Sequence, residues 1–474
     1  MQRTPLLTGL LLAQRALAGS TCCTSSISRD VVVVGGGASG SHAAVWLRDH
    51  DKSVVVIEKE AQLGGHTDWF EDPETGKVIN IGVQAWMEYR DSYDFPARMN
   101  VSTNGSMEFA AVENRYVDFQ SGEPVRDWVS PAPDAMYPAL QRYLDVLNKY
   151  QDMILPGFFG FPEGDAIPDD LVMPFRDLVD KYDLAAAVPQ LWDSTAQGLG
   201  DTMDVPSLFF MQASPAPMVE ALLGAAAAAV PESGRLYDLY ESVAEFLGSD
   251  VLYSSTVVST KRGEDGVKVT VRNAQGEHVC ISAKRLLVSA QPTPETIQPL
   301  GLDAGERDVL GRFSFTTVYA GVLQHPSLVV PTAYSNRSPR PGSTEYMAWP
   351  TESQVGRIDW LGDTVDLFQF TAVGAEDDSS ESIQSLIGES IQSMIEAGTV
   401  HHTNGSLSFS KFADHGKMHP RVSEGDLKAG FIQDLMSLQG RKSTWWTGAA
   451  WSAGLSNVLW EYNNILLPKV IEGI

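Results

Sequence analysis

Asp30-Val-Val-Val-Val-Gly-Gly-Gly-Ala-Ser-Gly40 begins as an apolar run and ends in a cluster of glycines. Four consecutive valines are typical of a strand buried on both faces, as in a parallel sheet. Gly35, Gly37 and Gly40 have the GxGxxG spacing, which makes a tight turn and lets the backbone approach a pyrophosphate. Because residues 41–48 have helical character, the phosphates are expected at a helix N-terminus.

A second apolar strand is predicted over residues 53–58, and it ends in Glu58, 18 residues after Gly40. This separation is close to the ~20 residues expected for an acid that accepts hydrogen bonds from an adenosine ribose. GxGxxG alone is a weak signal. The order of strand, glycines, helix, strand and acid predicts a dinucleotide-binding unit.

The composition indicates a globular protein and argues against nucleic acid and lipid membranes as partners. The 474 residues suggest two or three domains, and 43% of them are hydrophobic. With 34 basic and 60 acidic residues the net charge is −26, which repels nucleic acid and anionic lipid surfaces. Since no apolar run approaches the ~18 residues that a membrane span needs, we expect no stable span.

Residues 1–18 are predicted to be a signal peptide. Arg3 precedes a short apolar stretch at 6–13, and Ala16-Leu-Ala18 offers a small-x-small cleavage site. The absence of an acid before Asp30 also suits a mitochondrial presequence. Four N-x-S sequons favour a secreted or lumenal glycoprotein and leave mitochondrial targeting as the alternative; they begin at Asn100, Asn104, Asn336 and Asn404.

The three cysteines, Cys22, Cys23 and Cys280, suggest neither a disulfide framework nor a metal site. We interpret them as incidental thiols and expect no bound metal. The chain before Asp30 is likewise expected to have no role in the nucleotide fold.

Later segments are predicted to return to the nucleotide fold. After a helical region, in which residues 222–230 are interpreted as a packed helix, the segment 234–292 predicts a helix, strands and a closing strand. The tail predicts a strand and glycine turn at 442–452. A helix at 455–470 follows, with Ser456 or Asn457 as its cap.

Several motifs together resemble the FAD-dependent amine oxidase superfamily, and more closely the fungal flavoproteins of the beta-cyclopiazonate dehydrogenase type. They are Gly35–Gly40, Glu58, Leu63-Gly-Gly-His-Thr67, Gly82-Val83, Lys284–Pro292 and Trp446-Thr-Gly-Ala-Ala450. Bacterial polyenoic fatty acid isomerases are more distant relatives by this comparison. The resemblance spans roughly Asp30 to the end, and it is specific for FAD rather than for a substrate.

The resemblance implies an α/β fold with an amine oxidase-like, Rossmann-type FAD-binding domain and a mixed α+β substrate domain. The implied FAD-binding parts are residues 30–99, 234–295 and 441–474. The implied substrate domain also has two parts. The first is a helical cap at residues 100–233, and the second is residues 296–440.

The resemblance also implies the residues around the cofactor. The expected contacts are Gly35, Gly37, Ala38, Ser39 and Gly40 with Gly64, Gly65 and His66 at the diphosphate, Glu58 and Lys59 at the ribose, Val257 or Val258 at the adenine, and Gly82, Val83, Gly448 and Ala449 at the flavin. His66 stands where many amine oxidases have arginine. Because residues 451–456 contain no cysteine, we expect non-covalent FAD, with a histidyl bond through His66 as the alternative.

The expected function is hydride transfer from a small, largely apolar natural product to the flavin, with O2 as the candidate acceptor. Weak candidates for catalytic residues are His66, Gln84, Trp86 and Trp451, with Trp446 as a further wall. His66 is more simply interpreted as a loop histidine that bonds backbone or phosphate. The alternatives are a flavin-dependent double-bond isomerase without net oxidation, and a binding protein without enzymatic activity.

Overall fold

The computed structural model describes residues 23–107, 110–338, 346–351 and 353–474. The predicted signal peptide at 1–18 and the thiol of Cys22 lie outside the described residues. Within the described ranges, helices and strands form two main sheets and a block of helices.

The strands, in chain order, are β1 (Ser25–Val34), β2 (Val54–Ile57), β3 (Thr67–Glu71), β4 (Val78–Gly82), β5 (Trp86–Met87), β6 (Glu113–Val117), β7 (Ala228–Ala229), β8 (Val251–Leu252), β9 (Thr256–Gly263), β10 (Gly266–Arg272), β11 (His278–Val288), β12 (Ser314–Gln324), β13 (Thr332–Asn336), β14 (Gln354–Asp359), β15 (Phe368–Gly374), β16 (Ser408–Arg421) and β17 (Thr444–Trp446). The α-helices are α1 (Ala38–Asp49), α2 (Asp94–Arg98), α3 (Pro133–Ile154), α4 (Asp169–Val172), α5 (Phe175–Tyr182), α6 (Val188–Ser194), α7 (Ser207–Ala213), α8 (Ala216–Leu222), α9 (Asp238–Leu247), α10 (Pro294–Ile297), α11 (Ala304–Leu310), α12 (Ser380–Glu396), α13 (Glu424–Lys428), α14 (Phe431–Met436) and α15 (Ser456–Val470).

The first sheet, which we call the nucleotide sheet, has the order β8-β2-β1-β11-β10-β9, and β17 also pairs with β11. β1 runs parallel to both β2 and β11, which explains why its valines are buried on both faces. The antiparallel strands β9 and β10 precede β11, which pairs first with β10 and then with β17. Segments far apart in sequence therefore build one sheet, as the α/β prediction requires.

The beginning of the nucleotide sheet corrects two expectations. β1 starts at Ser25, and its first half pairs with β11 from Val279 onward. Cys280 pairs with Ser26 in this ladder, and a disulfide joins it to Cys23, which lies just before β1; the two Cα atoms are 5.8 Å apart. The interpretation of these two cysteines as incidental thiols was wrong, and so was the view that residues before Asp30 take no part in the fold. Parallel pairing of β1 with β11 is what brings together the two sulfur atoms, which belong to residues 257 apart in sequence.

The second sheet, which we call the floor sheet, has the order β16-β12-β15-β14-β13-β6. Its side chains alternate between faces with the period of two that strands impose. On β15, Phe368 and Phe370 pack into an apolar cluster together with Ile387 of α12. Gln369 and Thr371 point to the opposite face, where they line a cavity.

Two local predictions in the later segments were wrong. Residues 222–230 are not one helix, because α8 ends at Leu222 and the chain turns at Gly224 before β7. Gly224 has a φ of +71°, which interrupts the apolar run that suggested a helix. At α15 the cap residue is Leu455, and neither Ser456 nor Asn457 provides a side-chain cap.

Across the described ranges, no helix is both long enough and apolar enough to cross a bilayer.

Candidate functional site

A single cavity of about 2130 Å³ runs between the nucleotide sheet and the floor sheet. One end is lined by the glycine turn and Glu58, and the floor sheet lines the remainder through residues of β12, β14, β15 and β16. Pockets for ordinary small ligands have volumes of ~300–1,000 Å³. The cavity is therefore large enough for a dinucleotide and a second molecule together.

The glycine turn is positioned by close packing of α1 against β1. A Cβ atom at Gly40 would overlap the carbonyl oxygen of Gly35 and lie 2.6 Å from Ser289 Oγ. The Ser289 hydroxyl itself donates to the carbonyl groups of Val34 and Gly35, at 3.0 and 2.9 Å. Gly40 does not line the cavity, so the last glycine of the motif serves helix–strand packing.

Gly36 is a part of the turn that the GxGxxG pattern did not single out. Its N–H donates to Glu58 Oε2 at 2.6 Å, and the N–H of Glu60 donates to Glu58 Oε1 at 2.8 Å. A Cβ at Gly36 would overlap the side chain of Leu63. Burial raises the pKa of Glu58, and the two backbone N–H bonds oppose that rise. The carboxylate is thereby fixed at the cavity wall.

The Gly64-Gly65 loop lies directly on this turn. The N–H of Gly64 donates to the carbonyl of Gly36 at 3.0 Å, and a Cβ at Gly65 would lie 2.9 Å from Gly37 Cα. Gly64 and Gly65 both have positive φ, +117° and +56°. Two glycine loops in contact leave a channel with backbone walls, which is the shape that a pyrophosphate requires.

Most of the predicted cofactor residues line the same cavity. These are Gly35, Gly37, Ala38, Ser39, Glu58, Lys59, Gly64, Gly65, His66, Gly82, Val83, Val257, Gly448 and Ala449. Of the predicted cofactor residues, only Gly40 and Val258 do not line the cavity. The backbone walls of the glycine loops and the fixed carboxylate of Glu58 fit an FAD. The contacts of FAD with the individual residues stay a prediction.

The helices α1 and α15 both begin at the cavity, at Ala38 and at Ser456. Neither has an acidic residue in its first turn, so their positive ends face the cavity without a competing charge. Asn463 of α15 holds the helices together, since its Nδ2 donates to Ser39 O at 2.8 Å and lies 3.3 Å from His42 Nδ1. Burial lowers the pKa of His42 to about 3, so this ring is neutral.

Three histidines line the cavity between the two sheets: His66, His415 and His419. The rings of His66 and His415 have centroids 5.2 Å apart, and His415 Nε2 is buried without a hydrogen-bond partner among the described residues. Burial lowers the pKa of His66 to about 4 and that of both other histidines to about 3. All three are therefore neutral near pH 7, and each keeps one nitrogen able to accept a proton.

The other catalytic candidates differ in their position. Gln84 lines the cavity and donates to the carbonyl of Asn80 at 2.8 Å. Trp86, Trp446 and Trp451 are fully buried in the core and do not line the cavity. The expectation that Trp446 and Trp451 form its walls was wrong, because they stack on each other in the core, and the candidate Trp86 packs against Trp460.

Sequence reasoning missed the residues that the floor sheet contributes. His415 and His419 lie on β16, and Arg357 and Asp359 lie on β14. The one available signal was the pair of opposite charges at positions 357 and 359 of an apolar strand, where i and i+2 share a face. Within the described part of the chain, no group of three or more His, Cys, Asp or Glu side chains is arranged to hold a metal ion.

Comparison with known proteins agrees with this geometry. A family model described as an NAD(P)-binding Rossmann-like domain matches residues 33–98. The FAD-dependent oxidoreductase dpchF of Colletotrichum higginsianum is 30% identical, over 98% of this chain and 96% of its own length. Beta-cyclopiazonate dehydrogenase of Aspergillus flavus is 29% identical, over 97% and 96%.

Solved structures share the fold at lower sequence identity. A fatty acid isomerase from P. acnes that produces CLA superposes with a TM-score of 0.71 at 15% identity, over 94% of this chain and 99% of that one. Putrescine oxidase with bound putrescine superposes with a TM-score of 0.61 at 18% identity, over the same shares. At these identities the likeness concerns the fold alone.

Proposed function

This chain belongs to the family of FAD-dependent oxidoreductases that includes dpchF and beta-cyclopiazonate dehydrogenase, and we propose that it oxidises a small, mainly apolar natural product in fungal secondary metabolism. The observation that carries the proposal is the continuous cavity, which has a dinucleotide cradle at one end and a sheet floor at the other. When bound, FAD supplies the hydride acceptor.

The chain's own residues bind, orient and exclude water. The glycine loops and the N-terminus of α1 accommodate the pyrophosphate, and Glu58 accepts hydrogen bonds from a ribose. Ala320 and Ala413 leave room for an apolar molecule over the floor sheet. The neutral imidazoles of His66 and His415 face the cavity as hydrogen-bond partners for a substrate, and their lowered pKa values, about 4 and about 3, make them weak bases near neutral pH.

The binding of FAD is expected to be non-covalent. The two described cysteines are bonded to each other, and residues 451–456 contain none. Acid precipitation of the purified protein should release all yellow colour into the supernatant. A yellow pellet would contradict this expectation, and a His66→Ala variant would then show whether His66 carries the bond. A colourless protein that FAD cannot reconstitute would overturn the proposed function itself.

Oxidation of the substrate and its isomerisation differ in whether electrons leave the substrate for an acceptor. The isomerase likeness rests on 15% identity, whereas the relatives similar over their whole length are named oxidoreductases and a dehydrogenase. A compound that bleaches the flavin spectrum without air should, in air, consume O2 and form H2O2 during turnover. Turnover to an isomeric product with neither O2 nor another acceptor consumed would favour the isomerase.

We also propose that the protein enters the secretory pathway. A disulfide between Cys23 and Cys280 favours an oxidising compartment, and Cys23 follows closely on the predicted cleavage site after Ala18. Three sequon asparagines are exposed, at positions 100, 104 and 404. Asn336 is 4% exposed and its Nδ2 donates to Val355 O at 2.7 Å, so that sequon is unsuited to carry a glycan in the folded protein.

Expression of the full chain in a filamentous fungus would test this proposal. We expect protein in the medium that begins at Gly19. Peptide mapping should find glycans at one or more of Asn100, Asn104 and Asn404 and none at Asn336, which serves as the internal control. Retention in mitochondria, or an unglycosylated intracellular protein that still carries residues 1–18, would contradict it.

A further inference from the structure

A straight row of side chains crosses the whole floor sheet on its cavity face. The register of the six strands places these residues opposite one another: Ala413, Ala320, Thr371, Arg357, Ser335 and Tyr116. All six line the cavity. The row changes along its length, from two alanines near the cofactor end to polar residues at the far end.

Arg357 is the charged member of this row, and neighbouring groups hold its guanidinium in place. Its Nη2 lies 2.6 Å from Asp359 Oδ2, and its Nη1 donates to the carbonyl of Asp193 at 2.9 Å. These contacts engage two of its five N–H groups. The side chain is 32% exposed and lines the cavity, although its Nε is buried without a hydrogen-bond partner among the described residues. Hydrogen-bond donors therefore remain available to a molecule on the floor sheet.

The support for Arg357 is itself built from charged residues. The buried Arg337 binds both carboxylate oxygens of Asp193, at 3.1 and 2.7 Å. Four aromatic rings surround the Arg337 guanidinium at 4.5 to 5.5 Å; they belong to Tyr116, Trp128, Trp192 and Trp349. This cage fixes Asp193, and Asp193 in turn fixes Arg357 through its main chain.

The charges of this cluster decide what it can bind. Two arginines and two aspartates, Arg337, Arg357, Asp193 and Asp359, balance when both acids are ionised. An additional anion would leave an uncompensated negative charge in a largely buried place, which is costly, and an ammonium group would face Arg357 directly. A neutral oxygen acceptor satisfies the free N–H groups without adding charge.

We propose that Arg357 binds a neutral carbonyl oxygen, of a ketone, amide or lactam, at the end of the substrate remote from the flavin. β14 is three strands from β16, so Arg357 lies about 14 Å across the sheet from the His415 side at strand spacings of ~4.7–4.9 Å. The substrate is thus an extended apolar molecule with a carbonyl group at its far end. The inference rests on the proposed function for the identity of that substrate.

Calorimetric titration of the FAD-loaded protein with three ten-carbon probes tests this inference. Decanamide is neutral, decanoate is an anion and decylamine is a cation. We expect wild-type protein to bind decanamide most tightly. Because a hydrogen bond from a charged donor is lost, Arg357→Met should weaken decanamide binding about tenfold or more and leave decylamine binding unweakened. Arg357→Lys should retain part of the affinity.

The matched control is Arg115→Met, which removes an arginine of β6 that does not line the cavity. If Arg357→Met does not fold, Arg357→Met combined with Asp359→Leu removes both members of the ion pair and avoids an unpaired buried carboxylate. Two results would overturn the inference. One is decanamide binding that stays unchanged in the Arg357 variants. The other is wild-type protein that binds decanamide no more tightly than it binds decanoate or decylamine. The flavin spectrum of each sample reports separately on the proposed function, because probe binding requires no turnover.

Discussion

The Gly40→Ala variant is expected to bind FAD at least tenfold more weakly, which corresponds to about 1.4 kcal/mol, and to be purified with less flavin than the wild type. Gly40 lies inside α1, where an added methyl group strains no dihedral angle. The new Cβ would overlap the carbonyl oxygen of Gly35 and approach Ser289 Oγ to 2.6 Å. Both groups belong to the backbone turn or are bonded to it, so neither can move without moving the turn.

The expected loss of stability in Gly40→Ala exceeds the ~1–3 kcal/mol typical of overpacking, because the overlap is with backbone. Flavin absorbance per protein and the denaturant midpoint measure the two effects. Gly388→Ala is the matched control, since Gly388 lies inside α12 and a Cβ there would meet only Leu407 Cδ2 at 3.8 Å. It should keep its flavin and gain ~0.5–1 kcal/mol from helix propensity. Wild-type flavin content in Gly40→Ala would refute the packing role of this glycine.

The Cys280→Ser variant is expected to lose about 2–5 kcal/mol of unfolding free energy. The disulfide closes a loop between residues 257 apart in sequence, and the entropy that it removes from the unfolded chain grows with loop length. It also anchors the first half of β1, whose outer residues are exposed and have little apolar burial of their own.

Denaturant unfolding with and without a reductant measures this effect. Reduced wild-type protein should unfold at the same midpoint as Cys280→Ser, and reductant should leave the variant unchanged. Cys22→Ser, which removes the third cysteine and leaves the Cys23–Cys280 pair intact, is the control and should match oxidised wild type. An equal loss in Cys22→Ser would mean that Cys22, rather than Cys23, forms the stabilising bond with Cys280, and no loss in Cys280→Ser would contradict the anchoring role.

The cofactor end of the cavity was largely predictable because its contacts are local. Gly35, Glu58 and Gly65 lie within about thirty residues, and a strand–turn–helix unit fixes their relative positions. Even there the pattern was incomplete. Gly36 holds the carboxylate of Glu58, and Gly40 packs the helix rather than touching the cavity; these assignments depend on which atoms meet after folding.

The substrate end was not predictable from local sequence. Arg357 becomes a cavity residue only because β14 pairs with β13 and β15 in one register, and a shift of one residue would turn it to the opposite face. The same holds for His415 on β16, which meets His66 from a turn almost 350 residues earlier in the chain. Register across separate segments is set by the packing of the whole sheet.

The amino-acid sequence by itself predicted a dinucleotide site, because turn geometry, helix start and ribose acid are encoded within short spans, and the resemblance of motifs from Gly35 to Ala450 indicated that the dinucleotide is FAD. Tertiary structure decided where Cys23 finds its partner, which tryptophans lie in the core, and that Arg357 faces the cavity. The physical reason is that long-range strand pairing brings these groups together, and no short stretch of the chain specifies it.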